Sequence, residues 1–237
     1  GVALGVAGAL AQGATNNPLA EPAILGTSAG AALAVVIGVL ANIVVIGSIG
    51  AMAIAAIGAL LATLLTLRFA TLERNVSPLN LVIIGLSLSA TISAVVGLLT
   101  TAVSRSDARS ISFWSFGSLA LTNSNDLIPL LIFTLVGIAS ALFIAPKLDQ
   151  LSLGDTTARH LGIDPRKVRR VALIALAILI GAAVSTVGTI SFLGLAAPHI
   201  ARLISGPKHR PLILQSALLG ATILLVADTL ARTIAAP

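Results

Sequence analysis

KLDQLSLGDTTARHLGIDPRKVRR, residues 147–170, is the one long polar interval in a chain that is otherwise almost all apolar. It carries Lys147, Arg159, Arg166, Lys167, Arg169 and Arg170 and is punctuated like two short helices. Asp155 is placed to cap a first helix, Thr156 to Leu161, which Gly162 closes. Asp164 is placed to cap a second, with Pro165 at the first helical position, where a missing N–H costs nothing. A folded, charged elbow between apolar spans offers another molecule something to grip.

The flanking sequence sets the class. Hydrophobic residues make up 57% of the 237 and charged residues 9%, with a mean hydropathy of +1.08. Soluble domains are about 25% charged, so the composition points to an all-α, polytopic transmembrane helical bundle. A span takes roughly 20 apolar residues. Such runs number about eight: 2–15, 27–48, 51–70, 79–103, 127–145, 171–190, 191–204 and 212–231. They form one transmembrane domain, 1–237, with the elbow at 147–170 inside it. Gly1 opens directly on apolar sequence and Pro237 follows a span, which reads as a chain incomplete at both ends. There is no cysteine, so no disulfide can form.

Charge orients the bundle. With eight spans, Arg68, Arg74, the six elbow cations, Arg202, Lys208 and Arg210 share one side, whereas Arg105, Arg109 and Arg232 face the other. Cytoplasmic loops are the basic ones, so the elbow is cytoplasmic and Arg232 faces outward. The net charge of +6 is thereby explained by topology, and no nucleic-acid partner is expected. Gly1, Gly8 and Pro18 recur as Gly181, Gly188 and Pro198, each displaced by 180 residues and running the opposite way. This is the pattern of inverted-repeat transporters.

Several constellations carry two readings. Asn16 to Pro22 interrupts two spans with two prolines, which either forms a gate on a pathway or a plain turn. Ser87, Ser89, Thr91 and Ser93 form a hydroxyl stripe at i, i+4 spacing, which lines a polar route or lets helices pack closely. Asp228 stands four residues before Arg232, either as a local ion pair or as an outward docking charge. The Gly26/Gly30 spacing permits close helix packing, and Trp114 with Phe113 and Phe116 suits an interfacial anchor. His160 and His209 read as loop residues and His199 as a helix-end group. They lack ligand spacing, so no metal site and no cofactor are expected. No phosphate-cradling loop and no nucleophile–base pair is present, so the chain is not expected to be an enzyme.

The residues resemble the permeases of iron-siderophore, haem and cobalamin ATP-binding-cassette importers, the FecCD type. The resemblance is carried by Gly8 to Gln12, Asn17 to Pro22, Leu25 to Ala31 and Phe113 to Leu119. It continues through Leu153 to Gly162, Gly188 to Leu195, Pro198 to Arg202, His209-Arg210, Ala227-Asp228 and Ala231-Arg232, in order along the whole chain.

The resemblance implies a ten-helix fold, of which these spans would be helices two to nine. It implies that the elbow docks on a separate ATPase subunit, through Asp155, Thr156, Ala158, Arg159, His160, Leu161, Gly162 and Ile163. Asn17 and Leu19, and Ser77 with Pro78, would form cytoplasmic gates, although Pro78 departs from the family's small hydroxyl residues there. Apart from the resemblance, the pathway reading of the hydroxyl stripe places Ser87 and Thr91 on that route. Arg232 would meet an extracytoplasmic substrate-binding protein. Further partners would be membrane lipid and a second permease copy, identical or related, in a bacterial cytoplasmic membrane. The alternative is a secondary transporter of inverted-repeat type, which would need acids at mid-membrane.

Overall fold

Ten α-helices follow one another in a computed structural model that describes residues 1–45, 48–71, 78–122, 124 and 127–234. They are α1 (Val2–Thr15), α2 (Thr27–Leu40), α3 (Ile49–Thr71), α4 (Pro78–Ala102), α5 (Arg105–Ser115), α6 (Leu127–Leu151), α7 (Asp155–His160), α8 (Pro165–Val187), α9 (Leu193–Ser205) and α10 (His209–Ile234). Short 3-10 turns at Pro22–Leu25 and Leu119–Leu121 join them. Among the described residues, five helices, α3, α4, α6, α8 and α10, are long and apolar enough to cross a bilayer. The expectation of about eight spans is therefore met in part. α1 and α2 have 14 residues each and α9 has 13, which at 1.5 Å per residue gives about 20 Å against a core of about 30 Å.

α8 is the axis of the bundle. Beyond its basic first turns it is apolar around its circumference, and 78% of its span is enclosed by protein, as expected of a helix segment with no polar face. α1, α3 and α6 pack directly on it. α4, α6 and α10 are equally apolar but only about a fifth covered, so their remaining faces are suited to lipid or to another apolar surface. Backbones approach closely where glycine allows it. A Cβ on Gly8 would overlap the Gly194 carbonyl oxygen where α1 crosses α9, and one on Gly30 would lie 2.5 Å from the Gly58 carbonyl oxygen where α2 crosses α3. Gly26, by contrast, serves the turn before α2, with φ 85°.

Several sequence expectations are corrected. The second short helix of the elbow is the first turn of α8, because Asp164 caps Pro165–Val187 directly: its Oδ1 accepts the Arg166 N–H at 3.0 Å. Lys147 sits on α6, which continues through Pro146. The 180-residue repeat does not join equal elements. Gly8 lies within α1 but Gly188 ends α8 with φ 73°; Pro18 lies in a loop but Pro198 lies inside α9. Trp114 is buried, because α5 folds down onto the end of α8, so Phe113 and Phe116 alone face outward.

Candidate functional site

One end of the bundle gathers the C-termini of α1, α6 and α9, the N-termini of α8 and α10, and the whole of α7. Leu153-Gly154 turns the chain out of α6, and Gly154, at φ 97°, is the N-cap of α7. Asp155 is thus the first residue of α7 rather than its cap, because its carboxylate is engaged elsewhere. Arg169, 1% exposed on α8, donates through Nη1 to Asp155 Oδ2 at 2.7 Å and through Nη2 to Oδ1 at 2.6 Å. Its Nε donates to the Ala14 carbonyl at 3.0 Å, in the last turn of α1. One guanidinium therefore ties α7, α8 and α1 together, and it satisfies a helix-end carbonyl that has no partner within its own helix. The hydrogen-bonded Arg169 holds the Asp155 carboxyl below the usual carboxylate range, against partial burial, with Arg159 adding to the effect.

α7 ends as expected. The Ile163 N–H reaches the Ala158 carbonyl at 2.9 Å around Gly162, which has φ 79°; such left-handed closure favours glycine. Of the eight residues expected to contact a partner, Thr156, Arg159, His160, Leu161 and Gly162 are exposed, and Asp155 and Ile163 are half-buried. Ala158, the eighth, is fully buried against the bundle. Leu153 and Leu161, 61% and 54% exposed, flank α7 with apolar side chains beside Arg159 and His160. Leu153 was not among the expected contacts, because an apolar residue next to a span carries no local sign that it will be uncovered.

A second linkage braces the same end. Asp149 near the end of α6 accepts both the backbone N–H of His209, at 2.7 Å, and its Nδ1, at 2.7 Å. The carboxylate thus caps α10 from another helix, where the helix dipole favours negative charge. His209 is 3% exposed and rests against Gly13 of α1, so it is a buried bracing residue and not the loop residue expected. Arg202 on α9 donates to Gln12 Oε1 of α1 at 3.0 Å. His160 and His199 are exposed, His160 closing α7 and His199 lying within α9.

The other expected residues fall outside this cluster. Asn17 and Leu19 lie in the exposed turn after α1, where Asn17 Oδ1 accepts the Leu19 N–H at 2.9 Å. Ser77 lies outside the described residues; Pro78 opens α4. Ser87 and Thr91 sit on the uncovered face of α4, while Ser89 bonds inward to the Ala23 carbonyl at 3.2 Å, so the hydroxyl stripe divides between two surroundings. At the opposite end of α10, Arg232 Nε donates to Asp228 Oδ2 at 2.8 Å, and the arginine is 55% exposed. Glu21, read only as part of the Asn16 to Pro22 interruption and given no role of its own, accepts the Phe192 N–H through its carboxylate at 2.7 Å across 171 residues.

The FecCD transport family model matches residues 1–237. The chain is 38% identical to the hemin transport system permease protein HmuU of Yersinia pestis, covering 100% of this chain and 72% of that one. It is 35% identical to the iron(3+)-hydroxamate import system permease protein FhuG of Bacillus subtilis, with the same coverages. A solved inward-facing structure of a metal-chelate type ABC transporter superposes with a TM-score of 0.86 at 29% identity, covering 99% of this chain and 75% of that one.

Proposed function

Because the chain belongs to the FecCD transport family, we propose that it is the membrane-spanning permease subunit of an ATP-binding-cassette importer for an iron-siderophore or related metal chelate, haem and cobalamin included. The match over the full 237 residues carries this reading. ATP hydrolysis then belongs to a separate subunit, which grips the exposed face of α7. Arg159, His160, Leu161 and Leu153 form that face. Arg169 makes α7 a stiff lever, because it joins α7 to α8 and α1 through three hydrogen bonds rather than leaving it on a free loop. Closure of the ATPases would push on this lever and shift the packing of α1 and α8.

The remaining assignments follow the same reading. Asn17, Leu19, Ser77 and Pro78 would gate the cytoplasmic end, Ser87 and Thr91 would line the route, and Arg232 would meet the substrate-binding protein outside. The uncovered faces of α4, α6 and α10 suit lipid and a second permease copy. The membrane is then a bacterial cytoplasmic one. The test is reconstitution with the ATPase and binding protein in liposomes loaded with ATP. Uptake of a ferric hydroxamate or haem that needs all three components supports the reading; ATP-independent uptake driven by a proton or sodium gradient would replace it with a secondary transporter.

A further inference from the structure

α9 is too short to cross a bilayer alone, so its first residues start inside the bundle. The start is unusual in two ways. Phe192 has φ 66°, a left-handed conformation that side-chain-bearing residues avoid. Its N–H is also taken by a carboxylate from a distant segment, Glu21, at 2.7 Å. Glu21 itself begins the 3-10 turn Pro22–Leu25, through its carbonyl to the Ile24 N–H at 3.1 Å. That turn is folded back into the bundle. A Cβ on Gly85, two turns into α4, would lie 2.6 Å from the Ile24 carbonyl oxygen, and Thr66 on α3 donates to the Leu25 carbonyl at 3.0 Å.

One residue therefore joins two interrupted segments. The far end of α9 is attached to the same stretch of chain, through Arg202 to Gln12 at 3.0 Å. Residues 12–21 hold α9 at both ends, one end next to the α7 cluster and the other at the break before Leu193. The exposed turn bearing Asn17 and Leu19 lies between these two attachments.

We propose that Glu21 is a positioning residue that locks the turn after α1 to the start of α9, so that both breaks move as one unit when the ATPase acts. The proposal rests on the importer reading. A carboxylate accepting a backbone N–H at a helix start is a charge-assisted bond. Glutamine keeps an acceptor oxygen of the same reach, whereas leucine keeps the size and loses the acceptor. In proteoliposomes, Glu21→Leu is expected to keep at least half of the ATP hydrolysis while chelate imported per ATP falls by about tenfold, the effect of one lost charge-assisted bond. Glu21→Gln is expected to restore the ratio to within about twofold.

A second measurement does not depend on transport. The 237 residues contain no cysteine, so spin labels can be placed at Leu19→Cys and Ser191→Cys, both exposed positions. The distance between them should stay single and narrow with and without ATP when Glu21 is present, and broaden in the Glu21→Leu protein. A Glu21→Leu protein with normal import per ATP and an unchanged distance distribution would overturn the proposal. So would uptake and hydrolysis that fall together with the folded yield. A wild-type complex that imports nothing but shows the narrow distance would instead contradict the importer reading.

Discussion

Arg169 and Asp155 form a two-point ion pair, 2.6 and 2.7 Å, in which the arginine is buried under the helix whose first residue is the aspartate. The third donor of the same guanidinium reaches α1. A six-residue helix cannot hold itself together in isolation, so α7 exists as a shaped surface because Arg169 ties it down.

Replacing Arg169 by methionine should therefore release α7 and leave the Ala14 carbonyl without a partner. The loss is about 2–3 kcal/mol, because Asp155 can still turn to water. Arg169→Lys should recover less than half, since an ammonium cannot make the planar two-point contact and reach Ala14 as well. Thermal unfolding of both variants, with hydrogen exchange across 153–164, reads this out.

The pH response follows from the same pair. The folded carboxyl of Asp155 lies below its ordinary 3.8, so its contribution is complete above that value. It is lost only as pH falls through the lowered one. The stability difference between wild type and Asp155→Asn should be flat from about pH 8 to 5 and shrink below about pH 4. A difference that vanished already near neutral pH would show that the pair is not formed.

Gly13 is predicted to be intolerant of even one added carbon. A Cβ there would lie 2.6 Å from His209 Nε2 and 3.0 Å from Cδ2. His209 is held from the other side by Asp149, so it cannot retreat. Gly13→Ala should cost about 1–3 kcal/mol. By contrast, Gly154→Ala meets no atom within 4 Å, and its cost, about 1–3 kcal/mol, comes only from the backbone at φ 97° and ψ 153°. Melting temperatures of the two proteins, side by side, separate packing from backbone strain.

Arg232→Glu places two acids four residues apart at the end of α10 remote from α7, where Asp228 now pairs with the arginine. Docking of the binding protein should weaken about tenfold at low ionic strength and recover toward wild type near 0.5 M salt, because exposed charges are screened. Salt-independent loss would indicate a misfolded helix end instead.

Local chemistry made the elbow legible: Asp164-Pro165 and Gly162 announce their caps within a few residues, and both behave as expected. Asp155 misled because an acid next to a glycine looks like a cap, while its true partner is 14 residues away on another helix. The span count is met only in part where runs such as 27–48 are almost wholly apolar: composition says nothing of where α2 stops, and Asn42, at φ 54°, turns the chain just after it. Glu21 stayed hidden for a related reason. Its importance lies in Phe192, which a one-dimensional reading places 171 residues away. Trp114 and His209 were misread because burial depends on what folds over them.

The account turns on α7 being the surface that the ATPase grips, and the affinity of the purified ATPase subunit for the permease in lipid nanodiscs tests this most directly. Arg159→Glu with Leu161→Ser changes two exposed side chains, neither of which belongs to the Arg169–Asp155 pair that ties α7 down. With folding intact, binding should weaken by at least about 30-fold, the loss of roughly 2 kcal/mol or more expected at the centre of an interface. An unchanged affinity for this doubly substituted protein would contradict the claim.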